Sequence, residues 1–167
     1  MIYMGLTRLR EYVRCCKDLN DIINSFRSLI DYHIYVIKTD IDNPEINEEM
    51  RDALQSYKGK FIGLNNDLKE INGDLIEASI TDNRRKIREI CGSLIALILD
   101  IDRANRSSVY LYACEARDDI NNFIPKAKSR VSEIVLFING KWFWLYIITL
   151  VRRTSIYNRR NNYGSFI

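Results

Sequence analysis

The chain has 167 residues and a formal net charge of +3, with 47% hydrophobic and 28% charged residues. This length supports one domain with a substantial core, and this balance is typical of a folded protein rather than a disordered one. The charge is too small to indicate nucleic-acid binding by itself, and no nucleic-acid-binding module is recognisable.

Long helices are predicted, because Gly and Pro are scarce and acidic residues are interspersed with basic ones. Between Leu6 and Ile37, apolar residues recur every three or four positions, which predicts a first helix over about residues 5–38. Asn20 and Asp21 interrupt this pattern, so a break inside the helix stays open. The segment before Pro44 is expected to end it, since the residue before proline disfavours helical angles.

The next helix is predicted to start within residues 44–47, and Gly59 is expected to divide it from a third segment. That segment carries an apolar seam at heptad-like spacing, formed after Phe61 by Leu64, Leu68, Ile71 and Leu75. The seam is too short to indicate a coiled coil, so packing inside a bundle is predicted. Gly63 and Gly73 mark this segment as a candidate for close contact or distortion.

An uncharged stretch is the most hydrophobic part of the interior sequence. Residues 81–83 supply capping side chains before it, and residues 90–99 include no charged residue. Little of such a helix is expected to face water. We therefore predict an all-α bundle, residues 1–140, packed around this central helix. Pro125 is expected to separate two further helices, and Asn139 with Gly140 is expected to end the last one.

Aromatic and aliphatic residues dominate positions 141–153, and a basic tail predicted to be flexible follows at 154–167. Two interpretations of this segment stay open, a core helix or a membrane anchor. It is too short to span a bilayer alone, and extending it back through residue 134 would bury Lys141. If it meets a membrane, interfacial aromatic residues and headgroup-binding cations would make the contact, namely Trp142, Phe143, Trp144, Tyr146, Arg152 and Arg153.

No catalytic site is predicted. The four cysteines show no C-x-x-C spacing, which favours a reducing, cytoplasmic location, and His33 is the single histidine. Its neighbours Ile34 and Tyr35 favour packing over catalysis. The sequence contains no Gly-rich phosphate loop, zinc-ligand spacing or nucleophile elbow. We therefore expect no catalytic residue, no metal and no cofactor.

A basic cluster begins the central helix, where Arg84, Arg85, Lys86 and Arg88 oppose the helix dipole. Two interpretations stay open. The cluster forms a solvated first turn that Asp82 and Glu89 partly offset, or it anchors an acidic residue of a partner helix, since arginine can grip a carboxylate through two hydrogen bonds.

Residues 82–98, DNRRKIREICGSLIALI, resemble the entry to the central helix of the Bcl-2-like family, particularly its divergent poxvirus branch. Residues 112–124 resemble the helix that follows. The family's Asn-Trp-Gly-Arg signature is not intact, because Arg84 and Arg85 follow Asn83. Family members bind amphipathic death-promoting helices in a groove, or bind innate-signalling proteins through another face.

This resemblance implies a non-enzymatic viral inhibitor of host apoptosis or innate signalling. Its groove wall would be the seam of Leu64, Leu68, Ile71 and Leu75, and its floor would be the start of the central helix. Arg85 with Arg88 would supply the charge contact. The alternative is a helical scaffold that self-associates through the seam, as in a homodimer, and meets a membrane. In either case the chain is expected in the cytoplasm, and if the C-terminal segment is a membrane anchor, the chain would be attached to an intracellular, mitochondrial membrane. No nucleic-acid partner is expected.

Overall fold

Four helices account for nearly all the residues that the structure, a computed structural model, describes: 2–81, 83–106 and 114–140. They are α1 (Ile2–Ile41), α2 (Glu48–Ile80), α3 (Arg84–Asn105) and α4 (Cys114–Ile138). Both α1 and α3 pack mainly against α2 and α4. The predicted all-α helical bundle is confirmed.

Neighbouring helices run antiparallel. Tyr12 of α1 donates a hydrogen bond to the Ala78 carbonyl near the end of α2, whereas His33 lies beside Tyr57 near the start of α2. The same reversal relates α1 to α4, since Asp18 pairs with Arg130 and Phe26 packs edge-on against Phe123 with ring centroids 4.8 Å apart. The four helices therefore alternate in direction along the chain. One end of the bundle holds the starts of α1 and α3 and the ends of α2 and α4.

Two predicted helix breaks are wrong. Helix α2 continues through Gly59, and α4 continues through Pro125. A glycine costs about 1 kcal/mol in a helix interior. Tyr57 and Phe61, buried on either side of Gly59, offset that cost through packing, and Ile124 and Ala127 do the same around Pro125. Helix α1 likewise passes through Asn20 and Asp21 without interruption.

The uncharged stretch of α3 is buried on one side only. Cys91, Leu94, Leu97 and Ile98 enter the core, whereas the opposite face exposes Gly92, Ser93, Ala96 and Leu99. The expectation that little of this helix faces water is therefore corrected. Glycine, serine and alanine carry no charge, but their exposure to water costs little free energy. A stretch without charged residues was therefore a poor indicator of how much of α3 is buried.

Helix ends follow the sequence signals closely. Asn83 caps α3 by accepting a hydrogen bond from the Lys86 amide at 3.1 Å, and Asn47 caps α2 by accepting from the Met50 amide at 2.8 Å. Gly140 follows α4 with φ +70°, the left-handed conformation that glycine adopts without strain.

The Asn83 cap gives a first testable prediction. Asn83→Ala removes the acceptor for the Lys86 amide, so we expect the free energy of unfolding to fall by about 1 kcal/mol. Urea denaturation measures this change. Asn66→Ala is the matched control, because Asn66 is exposed inside α2 and alanine favours helix there. Equal stability of the two variants would contradict the capping role.

The predicted C-terminal elements, 141–153 and 154–167, lie outside the described residues. The proposed membrane contacts in them are Trp142, Phe143, Trp144, Tyr146, Arg152 and Arg153. Within the ranges that the structure describes, no helix combines the length and the apolar character that crossing a bilayer requires.

Candidate partner-binding groove and buried polar tier

The four residues of the predicted groove wall mostly belong to the hydrophobic core. Leu68 is 0% exposed and Leu75 is 2% exposed, while Leu64 and Ile71 are half-buried against the same core. The four residues therefore do not form one open surface, and this interpretation of the seam is corrected. The same heptad-like spacing suits packing inside a bundle and binding of a partner. Spacing alone does not show whether another helix of the same chain already covers the seam.

An open groove nevertheless lies on the predicted pair of helices, between α2 and α3. Its volume is about 430 Å³, within the range of small-molecule pockets. The lining residues are Lys60, Gly63, Leu64, Asp67, Asp100, Arg103 and Ala104. Leu64 is thus the predicted wall residue that reaches an accessible groove. The groove faces the end of α3, whereas the sequence placed its floor at the start of that helix.

Small side chains keep this groove open. A Cβ atom added at Gly63 would meet nothing within 4 Å, so the expected close contact at this glycine is absent, as it also is at Gly73. Ala104 contributes only a methyl group on the α3 side. Leu64 is the large apolar side chain among the lining residues. The groove therefore has an apolar floor, and its bulky lining side chains are charged.

Charges of both signs border the groove. Lys60 and Asp67 stand on α2, and Asp100 with Arg103 stands on α3. The Asp100 and Arg103 side chains form an exposed ion pair at 3.0 Å. Exposed pairs of this kind contribute about 0–1 kcal/mol, so either member can exchange its partner for an incoming charge at little cost.

Arg85 and Arg88 lie away from this groove. Arg85 pairs with Glu89 on the surface at 3.1 Å, and its side chain is 87% exposed. Arg88 is also exposed. Because Arg85 and Arg103 are separated by five turns of α3, about 27 Å along its axis, the predicted charge contact does not border the groove.

His33 lies fully buried, as the packing interpretation predicts. Its Nε2 lies 3.0 Å from the Tyr57 hydroxyl oxygen, and its ring centroid lies 4.5 Å from that of Phe61. Burial, with a smaller contribution from the nearby Arg117 cation, lowers the pKa of His33 from 6.5 to about 4. The ring is therefore neutral near pH 7 and sits within the core.

A second polar group joins α3 to α4. The Arg117 guanidinium donates to the Asn105 carbonyl at 3.0 and 2.6 Å. The Asn105 side chain donates in turn to the Arg117 carbonyl and to Asn121. With His33 and Tyr57 this forms a polar tier that draws on all four helices. This tier was not predicted from the sequence. The one indication in the sequence was Asn105, a polar residue four positions after Ile101 on the apolar face of α3.

Two buried cysteines lack reactive character. Cys15 and Cys91 lie in the core, as does Cys16. Burial raises the pKa of Cys15 to about 11 and that of Cys91 to about 12, which disfavours the nucleophilic thiolate. Among residues 2–81, 83–106 and 114–140, no cluster of three or more His, Cys, Asp or Glu side chains is arranged to hold a metal ion.

Known proteins offer no template for the groove. Comparison with protein-family models, with curated proteins and with solved structures finds no match for this chain.

Proposed function

We propose that the protein is a non-enzymatic interaction module that receives an amphipathic helix of a partner in the groove between α2 and α3. The observation that carries the proposal is the groove itself, where Gly63 and Ala104 leave Leu64 accessible from outside. Helix-in-groove recognition needs an apolar floor that accepts anchors at helical spacing. Two antiparallel helices flanking a groove present such a floor.

The charges at the rim define the complementary partner. Lys60 and Arg103 offer cations, and Asp67 and Asp100 offer carboxylates. A partner helix with an apolar stripe bordered by both an acidic and a basic residue matches this rim. The apolar stripe supplies affinity, and the rim charges fix register and orientation.

The Bcl-2-like resemblance of residues 82–98 suggests the biological class of that partner. It would be a death-promoting or innate-signalling protein of a host, and this chain would be its viral inhibitor. Because the groove lies at the end of α3, the partner would not contact Arg85. Arg103 and Lys60 would instead contact its acidic residues.

Filling the groove tests the proposal. Gly63→Phe places a ring where the groove is open, and we expect affinity for a bound amphipathic peptide to fall about tenfold or more, equivalent to about 1.4 kcal/mol or more. The measurement is fluorescence anisotropy of labelled amphipathic death-promoting peptides titrated with the full chain. Leu64→Ala should weaken the same peptides by removing the floor.

Gly59→Phe is the matched control, because Gly59 lies one turn away on α2, is also exposed and borders no part of the groove. Circular dichroism verifies that both variants stay helical. Equal binding by the Gly63 and Gly59 variants would place the peptide elsewhere, and no binding by the folded wild-type chain would overturn the proposed helix recognition.

A further inference from the structure

One end of the bundle exposes large aliphatic side chains. Leu9 and Val13 lie near the start of α1, and Ile76 and Ile80 lie near the end of α2, with Ile80 80% exposed. The hydrogen bond from Tyr12 to Ala78 brings these two helix segments together. On helices in this register, the four side chains fall on the same end of the α1 and α2 face, so they form one apolar patch, here called the apolar end patch.

Exposed cations lie at the same end of the bundle as this patch. Arg10, Arg14 and Lys17 lie on α1, and Arg84, Arg85 and Arg88 lie on α3, all of them exposed. The start of α3 is held against the end of α2 by the Lys86 and Asp74 ion pair at 3.4 Å. Glu77 is an exposed acid nearby, and Glu89 is already paired with Arg85. Neither Arg84 nor Arg88 forms an ion pair with a carboxylate of the described residues.

The opposite end of the bundle is acidic. Exposed carboxylates cluster around the turn between α1 and α2 and at the start of α4, namely Asp42, Glu45, Glu48, Glu49, Asp52, Glu115, Asp118 and Asp119. The bundle is therefore electrostatically polar along its length. An anionic surface would attract one end and repel the other, which would orient the molecule.

Two arginines of this basic end lie where they cost stability. Arg84 and Arg85 occupy the first turn of α3, where the helix dipole disfavours positive charge. Packing gives no reason for them, since both are exposed. Glu89 offsets part of this cost for Arg85, and an external anion would offset it for both arginines.

We infer that this end of the bundle docks on an anionic lipid surface. The apolar end patch would enter the interfacial region while the arginines and lysines of this end contact headgroup phosphates. This surface is separate from the groove between α2 and α3, so the inference does not depend on the proposed helix recognition.

The rest of the chain supports a lipid occupant over the alternatives. Gly140, the last described residue, lies at this same end. Residues 141–167, which follow it in the sequence, contain five Lys or Arg residues, two Trp and no Asp or Glu. This segment would be repelled by the basic end, as would the same end of a second copy. Ile80 projects from the surface, so it can insert into the interfacial region of a membrane more readily than an acidic peptide can cover it.

Vesicle co-sedimentation of the full chain tests the inference. We expect binding to phosphatidylcholine vesicles that contain phosphatidylserine, little binding to phosphatidylcholine alone, and loss of binding with added salt. Arg84→Glu with Arg88→Glu should lower the partition coefficient between vesicles and water about tenfold or more, since each cation near an anionic surface strengthens binding. Ile80→Ser should also lower it.

Matched variants separate the effect of the position of a substitution from the effect of the net charge. Lys38→Glu with Arg51→Glu changes the charge equally at exposed positions of the acidic end, and Ile62→Ser removes an exposed isoleucine from the middle of α2. Both should bind as the wild type does. Equal binding by all variants would assign membrane contact to residues 141–167 alone, and binding of an acidic helical peptide at Arg84 and Arg88 without vesicle binding would assign the surface to a protein. Either result overturns the inference.

Discussion

Replacing Leu68 with alanine is expected to lower the free energy of unfolding by about 2 to 5 kcal/mol. Leu68 is fully buried among the core side chains of the bundle, so the substitution removes packed methyl groups and leaves a cavity. Urea denaturation followed by circular dichroism measures the loss, with the midpoint shifting and the slope unchanged if unfolding stays two-state.

Ile62→Ala is the control on the same helix. Ile62 is 43% exposed, so its truncation should change the free energy of unfolding by about 0.5 kcal/mol or less. If the Leu68 variant unfolds like the Ile62 variant, then Leu68 is not part of the core, and the seam would again be available as a binding surface. The pair of variants therefore decides between packing and recognition at this position.

The seam shows what the sequence predicts and where its information ends. The spacing of Leu64, Leu68, Ile71 and Leu75 predicted a helix with one apolar stripe, and the structure contains both. Spacing specifies angular position on a helix but not which neighbouring helix covers that angle. Leu64 reaches the groove because it lies at the α3 side of the stripe, next to Gly63, and that detail depends on how α3 packs.

Helix ends were more predictable than helix interiors. Asn83 and Gly140 act through their own backbone neighbourhoods, so a local signal was sufficient. Gly59 and Pro125 were misjudged because their effect competes with tertiary packing, which single-residue preferences do not include. The polar tier was missed for a related reason. Asn105 and Arg117 meet across twelve residues of sequence, and only the antiparallel packing of α3 and α4 brings them together.

The same limit applies to charge. The sequence identified Arg84, Arg85 and Arg88 as unusual for the start of a helix, and it left open whether solvent or a partner explains them. The structure adds that the exposed Leu9, Val13, Ile76 and Ile80 lie at the same end of the bundle. Cations and aliphatic side chains together define a surface that neither set defines alone.

Acid should destabilise the bundle through His33. Burial, with a smaller contribution from Arg117, lowers its pKa from 6.5 to about 4, so the folded state holds the ring neutral. In the unfolded chain the ring protonates near pH 6.5. The associated stability is fully present above that pH and is lost as the pH falls toward 4. At about 1.4 kcal/mol per pKa unit, the loss is about 3 kcal/mol.

His33→Gln separates this effect from the titration of carboxylates. A glutamine side chain offers amide groups toward the Tyr57 hydroxyl but does not titrate, while every acidic residue stays in place. We expect the difference in unfolding free energy between wild type and this variant to shift by about 3 kcal/mol in favour of the variant between about pH 7.5 and pH 4. Parallel pH profiles of the two proteins would show that folding does not lower the pKa of His33, which contradicts the prediction. Direct titration of the His33 ring protons by NMR adds a second measure, and Arg117→Gln should raise that pKa because it removes the neighbouring cation.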